Sequence, residues 1–139
     1  MSALFTKICY GEIMKKLVLF ILVGINFSIP SYSEWKEMGE IDNHNQGKYY
    51  IESNSIVKDS GNVFFWKMLS WRGANEYGTQ SVKIYIKGDC KIKRIKTLSY
   101  VMYTGSKGTG ESETQESKNI NWKYPTPESI DYNLLEDVC

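Results

Sequence analysis

The sequence predicts an α+β domain: an antiparallel sheet of about five to six strands, with one C-terminal helix packed on a sheet face and tethered there by a disulfide. Three observations carry this expectation. Val82, Ile84 and Ile86 alternate with Lys83, Tyr85 and Lys87, the period-two pattern of a strand with one buried and one solvated face. Ile130, Leu134 and Val138 recur at i, i+4 and i+8, and Leu135 widens them into the apolar stripe of a helix. Cys90 ends the strand on its buried parity, and Cys139 ends the helix and the chain.

The domain begins after a leader. Lys15 and Lys16 precede a nearly all-apolar run from Leu17 to Ile25, and Pro30, Ser31, Tyr32 and Ser33 form a small-residue cleavage region, so 14–33 reads as a secretory signal peptide cut before Glu34. Residues 1–13 stand in front of a complete signal with its own methionine, and they are read as a non-native upstream extension. The apolar run is shorter than the about 20 residues a spanning helix needs, and Glu34 and Trp35 stand where a lipoprotein carries its cysteine. The expectation is an exported protein, periplasmic or extracellular, without a stable membrane anchor. Residues 34–139 suit a single domain with one core.

Charge and cysteine usage narrow the class. The leader removes Lys7, Lys15, Lys16 and Glu12, taking the formal charge from +1 to about −1 in the mature chain. That balance argues against nucleic acid, which calls for a clearly basic surface. Cys9 leaves with the leader, and in an oxidising compartment Cys90 and Cys139 admit one intrachain pairing. Such a loop is worth about 4 kcal/mol in the chain-entropy model. Free thiols, or an intermolecular bridge through the terminal cysteine, are the alternatives.

In chain order, Glu34–Ile41 is a short first strand or an extended arm, and Asp42–Gly47 is a turn by composition. Tyr49–Glu52 is β-favouring, and Lys58–Asn62 is again a turn. The run Val63–Trp71 is apolar on both parities: Val63, Phe65, Leu69 and Trp71 on one, Phe64, Trp66 and Met68 on the other. That predicts a central strand covered by the helix on one face and by further protein, such as a second subunit, on the other. Arg72–Thr79 is a polar loop, and Gly88–Asp89 suits a tight hairpin turn. Between Lys91 and Tyr103 the alternation breaks, and a bulge near Lys93 and Arg94 restores it. Gly105–Asn121 is nearly free of apolar residues and reads as a long mobile loop. Thr126, Pro127 and Glu128 suit an N-cap, the first helical position and an acid at the positive end of the dipole.

No catalytic or metal-binding set stands out, and no cofactor is implied. His44 lies in a turn without a nucleophile or a second ligand beside it. Glu111 and Glu113 sit in a solvated loop with no apolar pocket to raise one pKa. Gly105–Gly110, GSKGTG, lacks the Lys-Ser/Thr start of a helix that a phosphate loop needs. The chemistry-bearing signal is basic: Lys83, Lys87, Lys91, Lys93, Arg94 and Lys96, interleaved with Tyr85, fall on or beside one hairpin. Such a face suits acidic glycans or acidic stretches of another protein. The plainer reading is that these lysines serve solubility and edge protection.

The segments GKYYIESNSI (47–56), SVKIYIKGDC (81–90) and TPESIDYNLLEDVC (126–139) resemble the surface-adhesin protein E family of exported bacterial proteins. The resemblance implies a six-stranded antiparallel sheet with its C-terminal helix held on the concave side by the disulfide, often in a dimer. It also implies binding to host matrix proteins such as laminin and vitronectin, with Lys83 and Tyr85 at the family's basic and aromatic places and Cys90 and Cys139 at its bridge. The function expected is therefore a non-catalytic, adhesin-like binding domain acting through its sheet face and basic hairpin: Lys83, Tyr85, Lys87, Lys91, Lys93 and Arg94. The alternative is a small periplasmic structural or enzyme-modulating protein without a host-matrix ligand.

Overall fold

The computed structural model describes residues 33–41 and 46–139. The segments expected to be an upstream extension and a leader, up to residue 32, and His44 lie outside the described residues. Seven strands form one antiparallel sheet: β1 (Trp35–Ile41), β2 (Gly47–Glu52), β3 (Val57–Asp59), β4 (Asn62–Trp71), β5 (Ser81–Asp89), β6 (Arg94–Tyr103) and β7 (Ser112–Glu116). Their order is β1-β2-β4-β5-β6-β7. The short β3 shares an edge of β4 with β2, taking Asn62–Phe64 while β2 takes Lys67–Trp71. Ser60 and Gly61, both at positive φ (50° and 81°), close the β3–β4 hairpin as a two-residue turn whose twist matches the strands. The C-terminal helix, α1 (Ile130–Val138), packs on one face.

Alternation places the core as expected. Val63 and Phe65 of β4 stand opposite Gly88 and Ile86 of β5, and with Ile51 and Ile95 they meet Leu134, Leu135 and Val138 of α1. Each of these buried aliphatic side chains contributes about 1.5–3 kcal/mol. Cys90, half-buried against the same cluster, is bonded to Cys139 with Cα atoms 5.6 Å apart. Three ion pairs tie the helix to the sheet side: Lys67 Nζ to Asp131 Oδ1 at 2.5 Å, Lys93 Nζ to Glu136 Oε1 at 2.6 Å and, more loosely, Lys36 Nζ to Asp137 Oδ2 at 3.9 Å. Burial, and then the Asp131 charge, raise the Tyr49 hydroxyl pKa.

Four details differ from the sequence reading, each for a local reason. Gly88 and Asp89 belong to β5 and not to a turn: a Cβ on Gly88 would lie 2.6 Å from Leu135 Cδ1 and 2.9 Å from Val63 Cγ1, so the glycine is there to let the helix approach. The reversal is Cys90–Lys93, with Lys93 at φ 51° and the amides of Lys91 and Ile92 donating to Asp89 Oδ1. The register break falls between Tyr85 and Ile86, whose partners Ser99 and Thr97 leave Leu98 as the extra residue. The helix starts later than Thr126. Glu128 sits at φ 68°, which no helix admits, and Ser129 is the N-cap, its hydroxyl accepting from the Tyr132 amide.

The fourth concerns Gly105–Asn121, which is ordered into a 3-10 turn over Ser106–Gly108 and the edge strand β7. All five β7 residues are exposed, so no apolar alternation marks them in the sequence. The turn folds back over the sheet face opposite α1. Ser81 Oγ, fully buried, donates to the Gly105 carbonyl at 2.6 Å and accepts from the Gly108 amide at 2.8 Å. Ser70 Oγ accepts from the Lys107 amide at 3.0 Å. This loop supplies the cover over Met68 on the second face of β4.

Candidate functional site

The face opposite the helix is built from the other parity of the same strands. On β5 it carries Lys83, Tyr85 and Lys87, on β4 Phe64, Trp66 and Met68, and on β6 Arg94, Lys96, Ser99 and Tyr103. Trp66 and Tyr85 are direct register partners, and their rings stack with centroids 4.9 Å apart at 23°. Phe64 adds a tilted contact to Tyr85 at 6.4 Å. Aromatic pairs of this kind add about 0.5–1.5 kcal/mol beyond their burial. All three rings remain half-buried, beyond the reach of the Gly105–Gly110 loop.

The cations around this ridge are held by rings. Lys83 Nζ lies 5.2 Å from the centroids of both Trp35 and Tyr103, and its stem runs so near Gly108 that a Cβ there would lie 2.6 Å from Lys83 Cε. Lys87 Nζ lies 5.4 Å from Phe64. Lys96 Nζ and the Arg94 guanidinium share Trp122, at 5.3 Å and 4.2 Å. Among the described residues the ion pairs leave out Lys83, Lys87 and Lys96, so their charge is balanced by no carboxylate there.

The remaining basic residues are committed elsewhere. Arg94 donates to Asp89 Oδ2 from Nε at 3.2 Å and from Nη2 at 3.1 Å. Burial works against the Asp89 carboxylate, yet the Ile92 amide, the Arg94 guanidinium and the Lys91 amide outweigh it and hold its pKa below the ordinary value. Lys93 turns to Glu136 on the helix side. Lys91 is exposed in the turn. The hairpin's six basic residues are thus divided: Lys83, Lys87 and Lys96 surround the aromatic ridge, Arg94 braces the turn, and Lys91 and Lys93 stand off it.

Sequence reasoning missed the partners of these lysines. Phe64 and Trp66 share the parity opposite Val63 and Phe65, a legible sign that the second face of β4 is aromatic. Trp122 gave no such sign: it reaches the face because Lys123 forms an isolated bridge with Ile95, a pairing set by tertiary structure. The GSKGTG segment, unsuited to phosphate, positions Lys83 and covers Tyr50 with Lys107, whose Nζ lies 5.6 Å from that ring.

Comparison with known proteins settles the kinship. The family model described as surface-adhesin protein E matches residues 35–139. The chain belongs to the surface-adhesin protein E family. Crystal form II of Haemophilus influenzae protein E aligns at 20% identity with a TM-score of 0.59, covering 80% of this chain and 94% of that one. The selenomethionine form of the same protein aligns at 22% identity and 0.59, covering 78% and 90%. These likenesses establish the fold. No curated protein sequence gives a significant match. The adhesin E family is one of exported surface proteins, and among the described residues no helix is long and apolar enough to cross a membrane.

Proposed function

We propose that this adhesin-like protein is a non-catalytic domain, periplasmic or extracellular, that recognises another macromolecule through the sheet face opposite α1. The observation that carries this reading is the stacked ridge of Phe64, Trp66 and Tyr85, half-buried and ringed by Lys83, Lys87 and Lys96 without balancing carboxylates among the described residues. Tryptophan and tyrosine are the residue types that most often anchor protein interfaces. Lysines around them steer an acidic partner into register and speed its arrival. The family's printed description as a surface adhesin supports a recognition role.

The test is a binding screen of the oxidised protein against laminin, vitronectin, heparin and cell-envelope extract. It is repeated with Lys83, Lys87 and Lys96 changed to Gln, and separately with Lys91 and Lys93 changed to Gln. The first set should abolish or strongly weaken whatever binding the native protein shows, and the second should leave most of it. Unchanged binding in the first set would remove this face from consideration.

A further inference from the structure

Lys87 and Lys96 are paired directly across β5 and β6. Residues so placed have Cβ atoms about 4.5–5.5 Å apart, and like charges there repel. No carboxylate relieves this pair among the described residues. The two ammonium groups instead part: Lys87 leans to Phe64 on the β4 side, and Lys96 leans to Trp122 beyond β6. Arg94, two residues along from Lys96 on the same face, spends its charge on Asp89. What is left is a stretch of sheet face between two uncompensated cations, flanked by the rings of Phe64 and Trp122, with Tyr85 and the small Ser99 at the next register position on that face.

We infer that this cross-strand lysine pair is an anion subsite for an acidic polysaccharide, with a sulfate or carboxylate group drawing Lys87 and Lys96 together and bridging them. This rests on the reading that the face opposite α1 is the recognition surface. A sulfate or carboxylate on a sugar ring presents several acceptor oxygens from a stiff frame, so one group can accept from both ammonium groups once they swing in from Phe64 and Trp122, and charge-assisted contacts of that kind are the strong ones. An acidic peptide would have to freeze flexible Glu or Asp side chains to do the same. Pyranose rings also have apolar C–H faces, which suit the flanking rings of Phe64 and Trp122. Lys83 lies four residues from Lys87 on β5, about 13 Å along the strand, and a polymer with repeated charges reaches both.

The experiment is calorimetric titration of the exported, oxidised protein with a size-defined heparin oligosaccharide, hyaluronate, neutral dextran and poly-glutamate. The expected result is saturable binding of heparin oligosaccharide, which carries sulfate and carboxylate, or of hyaluronate, which carries carboxylate alone, and none of dextran. Lys87→Gln and Lys96→Gln should each weaken it by about tenfold, Lys96→Arg should restore it, and Lys36→Gln on the helix side should change nothing. Without ligand, Lys96→Gln should melt at or above the native temperature, because it removes a like-charge opposition. Absence of binding to both acidic polysaccharides, or binding indifferent to Lys87 and Lys96, overturns the subsite. Poly-glutamate binding as tightly as heparin overturns the glycan assignment. If laminin or vitronectin binding still depends on Lys83, Lys87 and Lys96 in that event, the wider recognition role stands without the glycan.

Discussion

Changing Cys139 to Ser removes the single covalent tie between the helix and the sheet. The bridge spans 49 residues, which corresponds to about 4 kcal/mol of unfolded-state restriction. Nine residues form no stable helix alone, so α1 without the bridge depends on packing. Leu134, Leu135 and Val138 are each at least 98% buried, and together they are worth about 5–9 kcal/mol against exposure, so the helix should remain docked. The variant should keep the native circular dichroism spectrum, lose about 4 kcal/mol in urea titrations followed by tryptophan fluorescence, and melt about 15 °C lower. Its denaturant dependence should steepen, because the unbridged unfolded chain exposes more surface. A loss below about 1 kcal/mol would refute the loop-closure argument. Loss of amide protection over 130–138 in otherwise folded protein would refute the packing argument.

Three further changes probe the same frame. Gly88→Ala drives a methyl into Leu135 and Val63, and calorimetry should show a loss of about 1–3 kcal/mol; a neutral result would mean the helix sits farther from β5 than the structure places it. Asp131→Ala strands the ammonium of Lys67, which is 8% exposed, and should destabilise clearly more than Lys67→Met, which removes the charge with its partner's burden; the reverse order in urea midpoints would contradict that. Asp89 has a depressed pKa, so its contribution is present above the unfolded value of 3.8 and fades as pH falls through its lower folded value. The stability gap between native protein and Asp89→Asn should therefore be full at pH 7 and shrink at pH 3; a gap that widens on acidification would mean the shift has the opposite sign.

The elements bound into the core were readable from residues alone because burial imposes a period. Val82–Ile86 and the Ile130–Val138 stripe each show it, Val63–Trp71 shows instead the apolar run of a strand covered on both faces, and the Cys90–Cys139 bridge followed from counting thiols in an oxidising compartment. Where burial does not act, the pattern is silent. β7 is exposed throughout, so Ser112–Glu116 read as loop, and only its pairing with Ser99–Tyr103 makes it a strand. Gly88 looked like a turn residue because its need is tertiary: space for Leu135. The proposed binding face was half legible. Lys83, Tyr85 and Lys87 came from strand parity, whereas the docking of Lys96 on Trp122 and the diversion of Lys93 to Glu136 depend on chain segments far apart in sequence.

The central claim, that this protein meets its ligand on the face opposite α1, is tested most directly by cross-saturation. Deuterated, 15N-labelled protein would be bound to whichever of laminin, vitronectin or heparin the screen returns, and the ligand protons irradiated. Attenuated signals should cluster at Phe64, Trp66, Tyr85, Lys87, Lys96 and the indole of Trp122, with 130–138 unaffected. Attenuation centred on the helix, with the β4–β6 ridge silent, would contradict the account.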